Sequence, residues 1–193
     1  LSGGAKHSIF NVCYALVEEG DEVIIPAPYW LTYPEIVKTL GGVPVIVNTT
    51  EREGYKITPE ALKKAITPKT KMFIFNSPCN PTGVVYSEAE VRALAAVCEA
   101  ADIYVLSDEI YEKLVYDNAR PFSMAAVSER MKERTITVNG VSKTYAMTGW
   151  RIGYACANNK IAKVMSNYVS HSTGSPSAIS QKAAMTALSG PQE

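Results

Sequence analysis

A handful of polar residues stand where apolar runs end, and their types point to chemistry on a charged, planar ligand. Lys143 closes the stretch Val138-Asn139-Gly140-Val141-Ser142-Lys143. A lysine partly withdrawn from water gives up its proton more readily, and the free amine can form a Schiff base with an aldehyde. Lysine is also the ordinary solvated surface charge, so residue type alone leaves both roles open. Asp108 ends the apolar run 103–107. A carboxylate there either caps the next turn or presents a fixed anion to a cationic, electron-accepting heterocycle. Tyr111, three residues on, shares its side of a helical turn and can offer a hydroxyl to the same ligand.

Asn80 lies between Pro78 and Pro81 in a turn completed by Thr82-Gly83. It serves either as a structural Asx-turn or as one aimed amide. Trp30 follows Pro26 and Pro28 and is either a core filler or one wall of a site for a flat ligand. Gly3-Gly4-Ala5-Lys6 opens a helix with small residues, which lets backbone N–H groups approach a phosphate. Arg151, beside Trp150 and Gly153, is either an ion-pair partner or a forked phosphate clamp.

Alternating elements must position these residues. Apolar spacing predicts a helix over 5–19 with Gly20 as its C-terminal cap, and a strand over 22–26. A helix over 31–40 stops at Gly41-Gly42, and 43–47 is the next strand. Thr58-Pro59 starts a helix, and Ser87 with Glu90 has the spacing of a capping box for another reaching about residue 100. Strands are predicted at 72–75, 103–107, 135–138 and 152–157, and helices at 160–171 and 176–189. This rhythm implies an α/β fold, with parallel strands covered by helices on both faces. Apolar strands such as Val23-Ile24-Ile25 agree, because a strand buried on both faces loses polar alternation. Ligands of such sheets collect beyond the carboxyl ends of the strands, where Trp30, Asn80, Asp108, Tyr111, Ser142 and Lys143 fall; the helix start at 3–6 joins them if a strand precedes Leu1.

Composition narrows the class. The 193 residues are 47% hydrophobic and 20% charged, with nineteen basic against nineteen acidic side chains. That balance suits a folded core and argues against nucleic acid or another polyanion as partner. No apolar run approaches the ~20 residues of a membrane span. Cys13, Cys79, Cys98 and Cys156 form no C-x-x-C pair, so no metal site or disulfide framework is expected and a cytoplasmic setting is the simpler reading. The sequence begins at Leu1 and stops at Gly190-Pro191-Gln192-Glu193, which reads as a fragment of a longer protein.

Taken together, the motifs resemble the aspartate aminotransferase family of class I, fold-type I, pyridoxal-phosphate-dependent enzymes. The resemblance rests on Asn76-Ser77-Pro78-Cys79-Asn80-Pro81-Thr82-Gly83, on Ser107-Asp108-Glu109-Ile110-Tyr111, and on the run from Ser142-Lys143 to Gly149-Trp150-Arg151-Ile152-Gly153. Pro28-Tyr29-Trp30 and Gly4-Ala5-Lys6 support these in the right order. The wording is similar to the bacterial subgroup that includes prephenate-using enzymes.

The resemblance implies that residues 1–193 form one cofactor-binding large domain, a three-layer αβα sandwich around a mostly parallel sheet. An N-terminal segment and a C-terminal small domain are expected to be missing. It further implies that Lys143 holds pyridoxal phosphate as a Schiff base and shuttles a proton, while Asp108 pairs with the ring nitrogen. Asn80 and Tyr111 would bond the phenolic oxygen, and Trp30 would stack on the ring. Trp30 and Asn80 would also meet the substrate. Ala5, Lys6, Ser142 and Arg151 would hold the phosphate. Gly140 stands where some relatives carry a further phosphate-binding serine, so that contact is expected to be absent. The implied reaction is transamination between an amino acid, aspartate or a related dicarboxylic one, and a 2-oxo acid, in a cytoplasmic homodimer. Two alternatives stay open: a carbon–sulfur lyase or aminocyclopropane-carboxylate synthase on the same scaffold, and a non-catalytic, cofactor-binding regulator.

Overall fold

Successive strand residues alternate between two separate apolar cores, and this alternation builds the layers. The structure is a computed structural model and describes residues 1–192. Across these residues the elements run α1 (Ala5–Leu16), β1 (Glu22–Ala27), α2 (Thr32–Thr39), β2 (Val43–Asn48), α3 (Pro59–Ala65) and β3 (Thr70–Asn76). They continue as α4 (Glu88–Ala101), β4 (Tyr104–Asp108), α5 (Glu129–Arg134), β5 (Thr135–Gly140), β6 (Gly153–Cys156), α6 (Asn159–His171) and α7 (Ala178–Ser189). On one side of the sheet Val23, Ile25, Met72, Ile74, Leu106 and Ile136 meet α1, α2 and α6. On the other side Ile24, Phe73, Phe75 and Val105 meet α3, α4 and α5. The result is the expected three-layer α/β sandwich.

The sheet order is β2-β1-β3-β4-β5-β6. Strands β1 to β5 are parallel, in the expected pairing. Strand β6 runs antiparallel, with Gly140 opposite Gly153, and departs from the parallel rhythm read from the sequence. The reason lies in the connection: the segment between β5 and β6 holds only a short 3-10 turn at Thr148–Trp150 and no helical crossover. Without a crossover the chain can only double back.

Capping explains where most helices start. The Thr58 hydroxyl accepts from the Ala61 amide at 3.1 Å, and the Ser87–Glu90 capping box is complete. Helix α1 is shorter than its apolar spacing predicts, ending at Leu16 instead of 19. Val17 turns extended and buries its side chain, and the Glu18 amide donates to Asp21 Oδ2 at 2.9 Å, a turn that competes with further helix. Gly20 therefore serves the loop into β1, at φ +85°, and not the helix end. Helix α5 has no counterpart in the sequence reading. It is six residues long and buries only Met131, too little for a periodic signal, although Ser128 caps it.

The topology fixes where a ligand would go. From β1 the chain first crosses to β2 on one side and later to β3 on the other, so the loops leaving β1 and β3 diverge and open a crevice. No helix among the described residues is long and apolar enough to cross a membrane.

Candidate active site

A cavity of about 270 Å³ lies at that crevice, and all the residues singled out above line it: Ala5, Lys6, Trp30, Asn80, Asp108, Tyr111, Ser142, Lys143 and Arg151. They arrive from six separate parts of the chain. The loop after β1 brings Trp30, the loop after β3 brings Asn80, β4 ends in Asp108 and runs on to Tyr111, and the loop after β5 brings Ser142 and Lys143. The start of α1 and the approach to β6 supply the rest.

Asp108 is the buried anion of the site, 3% exposed. Its Oδ2 accepts from the Tyr33 hydroxyl at 2.7 Å and its Oδ1 from the Ile110 amide at 3.2 Å. Burial pushes its carboxyl pKa up, and these two donors partly pull it back. Among the described residues it has no lysine or arginine partner. The Ile110 bond is the local turn that a capping aspartate makes, and it leaves the Asp108 carboxyl in the cavity lining.

Lys143 sits at the mouth of the cavity with its Nζ over the Tyr111 ring, 5.4 Å from the centroid. It is exposed, which differs from the partial withdrawal from water expected of it. The loop carrying it leaves the sheet edge for the surface, and the described residues put nothing over it. The Lys6 Nζ, also in the cavity lining, lies 5.1 Å from the Trp30 ring centroid. The Asn80 side-chain amide has no hydrogen-bond partner among the described residues, while its backbone N–H is fixed by Asn76 Oδ1 at 2.8 Å.

The start of α1 presents backbone N–H groups without acceptors among the described residues. Helix α1 has no side-chain cap and no acidic residue in its first turn. Gly4 adopts φ +100°, and a Cβ there would collide with the Arg151 guanidinium. That guanidinium is held by two backbone carbonyls, Thr148 at 2.7 Å and Gly3 at 3.2 Å. The amides of Ala5 and Lys6 find no acceptor among the described residues. Gly140 is packed so that an added Cβ would press on the Ile152 carbonyl, and glycine itself offers no side chain to the site.

Among the cavity residues not singled out from the sequence, two bond to Asp108. Tyr33 reaches Asp108 from α2, and Asn76 ends β3 beside it. Each carried a faint signal: Tyr33 lies one helical turn beyond Trp30, and Asn76 is the first polar residue after an apolar strand.

The family model "Aminotransferase class I and II" matches residues 1–193. The chain belongs to the class I and II aminotransferase family. It is similar to the aspartate aminotransferase of Geobacillus stearothermophilus, 54% identical over 190 residues, which cover 98% of this chain and 48% of the relative. The aspartate/prephenate aminotransferase of Cereibacter sphaeroides is 49% identical over 194 residues, covering 98% of this chain and 48% of the relative. Among solved structures, the aspartate aminotransferase from Rhizobium meliloti superimposes with a TM-score of 0.97 at 46% identity, over 100% of this chain and 48% of that one. The chain thus spans about half the length of the curated relatives it matches. The superposition also places its sheet in the large-domain fold of these enzymes.

Proposed function

We propose that residues 1–193 are the cofactor-binding large domain of a pyridoxal-phosphate-dependent aminotransferase that moves an amino group from a dicarboxylic amino acid, aspartate first, to a 2-oxo acid. One observation carries this reading: in a chain of this family, a single cavity joins a buried carboxylate without a cation, Asp108, to a lysine amine, Lys143. The intact protein is read as a cytoplasmic homodimer in which a smaller domain and a preceding segment close the cavity. The names of the relatives, aspartate and aspartate/prephenate aminotransferase, support the substrate class.

The residues fit the cofactor. A buried anion lacking a counter-charge suits a cationic ring nitrogen. Unpaired amides at a helix start, beside a fixed arginine and Ser142, suit a phosphate. When bound, pyridoxal phosphate supplies an aldehyde for the lysine amine and a ring that takes up the electrons left as a Cα–H bond breaks. Asp108 holds a proton at the ring nitrogen. Asn80 and Tyr111 offer their amide and hydroxyl to the phenolic oxygen, and Trp30 walls the ring. Arg151, Ser142 and the Ala5 and Lys6 amides anchor the phosphate. Lys143 Nζ would hold the aldehyde, and as a free amine it would carry the proton of the substrate Cα.

The test is turnover by the intact protein. Visible absorbance with bound cofactor and oxo-acid formation from aspartate in the presence of a second 2-oxo acid are expected. Release of pyruvate and sulfide from a sulfur amino acid, with no transamination, would replace this reading with the lyase.

A further inference from the structure

We propose that Tyr33 is a positioning residue that sets how strongly Asp108 holds a cationic ring in this cavity, an assignment that rests on the pyridoxal phosphate reading above. The Tyr33 hydroxyl donates to Asp108 Oδ2 at 2.7 Å across 75 residues of sequence. The side chain is 2% exposed, and its ring meets Trp30 edge-on, with centroids 5.4 Å apart and planes at 87°. The Tyr33 amide also donates to the Trp30 carbonyl at 3.0 Å. One turn at the start of α2 therefore carries both the aromatic wall of the site and the donor to its anion.

The chemistry follows from the donor. Burial and the neighbouring Asp108 charge push the Tyr33 hydroxyl well above the ordinary tyrosine value, so it keeps its proton and only donates. Donation withdraws charge from Oδ2 and offsets the basicity that burial gives the carboxylate. A less basic carboxylate leaves the shared proton on the ring nitrogen. The bond also pins the carboxylate plane, which among the described residues is otherwise held only by the Ile110 amide at 3.2 Å. A phenylalanine would fill the same core space, so packing does not account for the hydroxyl.

The experiment uses the intact protein and pyridoxamine phosphate, the amine form of the cofactor, which cannot bond to Lys143. Loss of one hydrogen bond to a charged group should make Tyr33→Phe bind it roughly tenfold more weakly. In an Asp108→Ala background the same substitution should change binding by less than about twofold, because its effect passes through Asp108. Equal losses in both backgrounds would mean a structural role only and would overturn the proposal. With nitrogen-15 in the ring, Tyr33→Phe should move the resonance toward the unprotonated form, and an unmoved resonance also overturns it. Should Tyr33→Phe fail to fold, a fluorinated tyrosine at position 33, a stronger donor of nearly the same shape, should shift the resonance the other way; no shift again overturns it. A wild-type protein that binds neither cofactor form sinks the pyridoxal phosphate reading and this proposal together. A wild-type protein that binds both, with Tyr33→Phe unchanged, sinks the proposal alone.

Discussion

Asn76 and Asp108 stand opposite each other at the carboxyl ends of β3 and β4, and one side chain ties the two strand ends to the loop beyond. The Asn76 Nδ2 donates to the Asp108 carbonyl at 2.9 Å, and its Oδ1 accepts from the Asn80 amide at 2.8 Å. The rim of the cavity is thereby fixed by backbone contacts, and the Asp108 and Asn80 side chains remain available to a ligand.

Asn76→Ala should remove both bonds at once. The partners left behind are part-buried, so a loss of about 1–3 kcal/mol is expected. Cofactor affinity should fall along with stability, since Asn80 loses its anchor. Denaturant unfolding and a cofactor titration measure the two. A loss below about half a kcal/mol would show that water takes over both bonds.

The Asp108 carboxylate predicts a pH dependence of the cofactor-free protein. Folding raises its pKa above the ordinary 3.8, so the folded state binds that proton more tightly than the unfolded one. The contribution is fully present below the unfolded value and is lost as pH rises through the folded value. Asp108→Asn carries no such proton. It should match the wild type in stability near pH 4 and exceed it as pH approaches 7. Turnover should meanwhile collapse, because an amide cannot hold a cationic ring. A constant stability difference across that range would show that Asp108 is not strained by burial.

Lys143→Ala tests the nucleophile. The substituted side chain is exposed, so stability should stay within about half a kcal/mol. Borohydride should fix cofactor to one peptide of the wild type and to none of the variant, and catalysis should fall by several orders of magnitude. Label recovered on Lys6, which lines the same cavity, would reassign the role.

How much of this was readable in the sequence depends on the range of the signal. Capping boxes and apolar runs are local, so the Ser87–Glu90 box and the run 72–75 fell where expected. The polar residues after those runs converged because strand ends in such a sheet share one edge. Strand direction is not local: 152–157 reads the same whether parallel or antiparallel, and only the missing crossover helix decides it. Apolar spacing overstates the extent of α1 because Val17 is apolar in either conformation. Tyr33 escaped notice for a related reason. A tyrosine on the buried face of an amphipathic helix looks like core, and nothing near it in sequence reveals an aspartate 75 residues away.

The last prediction concerns Gly153, where β6 meets the entry to α1. The Ser2 amide donates to the Gly153 carbonyl at 2.8 Å and the Gly153 amide to the Ser2 carbonyl at 3.0 Å, which presses the two backbones together. A Cβ at Gly153 would collide with the Gly4 and Ala5 backbone. Backbone cannot swing away as a flexible side chain does, so Gly153→Ala must displace the start of α1. Overpacking of this kind costs about 1–3 kcal/mol. The same shift moves the Ala5 and Lys6 amides and the Gly3 carbonyl that holds Arg151, so the anion site should suffer more than the ring site. The variant should lose affinity for pyridoxal phosphate while its weaker affinity for pyridoxal, which lacks the phosphate, changes little. Gly149→Ala is the control for stability, since no atom lies within 4 Å of a Cβ there. It should unfold like the wild type. Equal losses for pyridoxal phosphate and pyridoxal in Gly153→Ala would show that the start of α1 does not hold the phosphate.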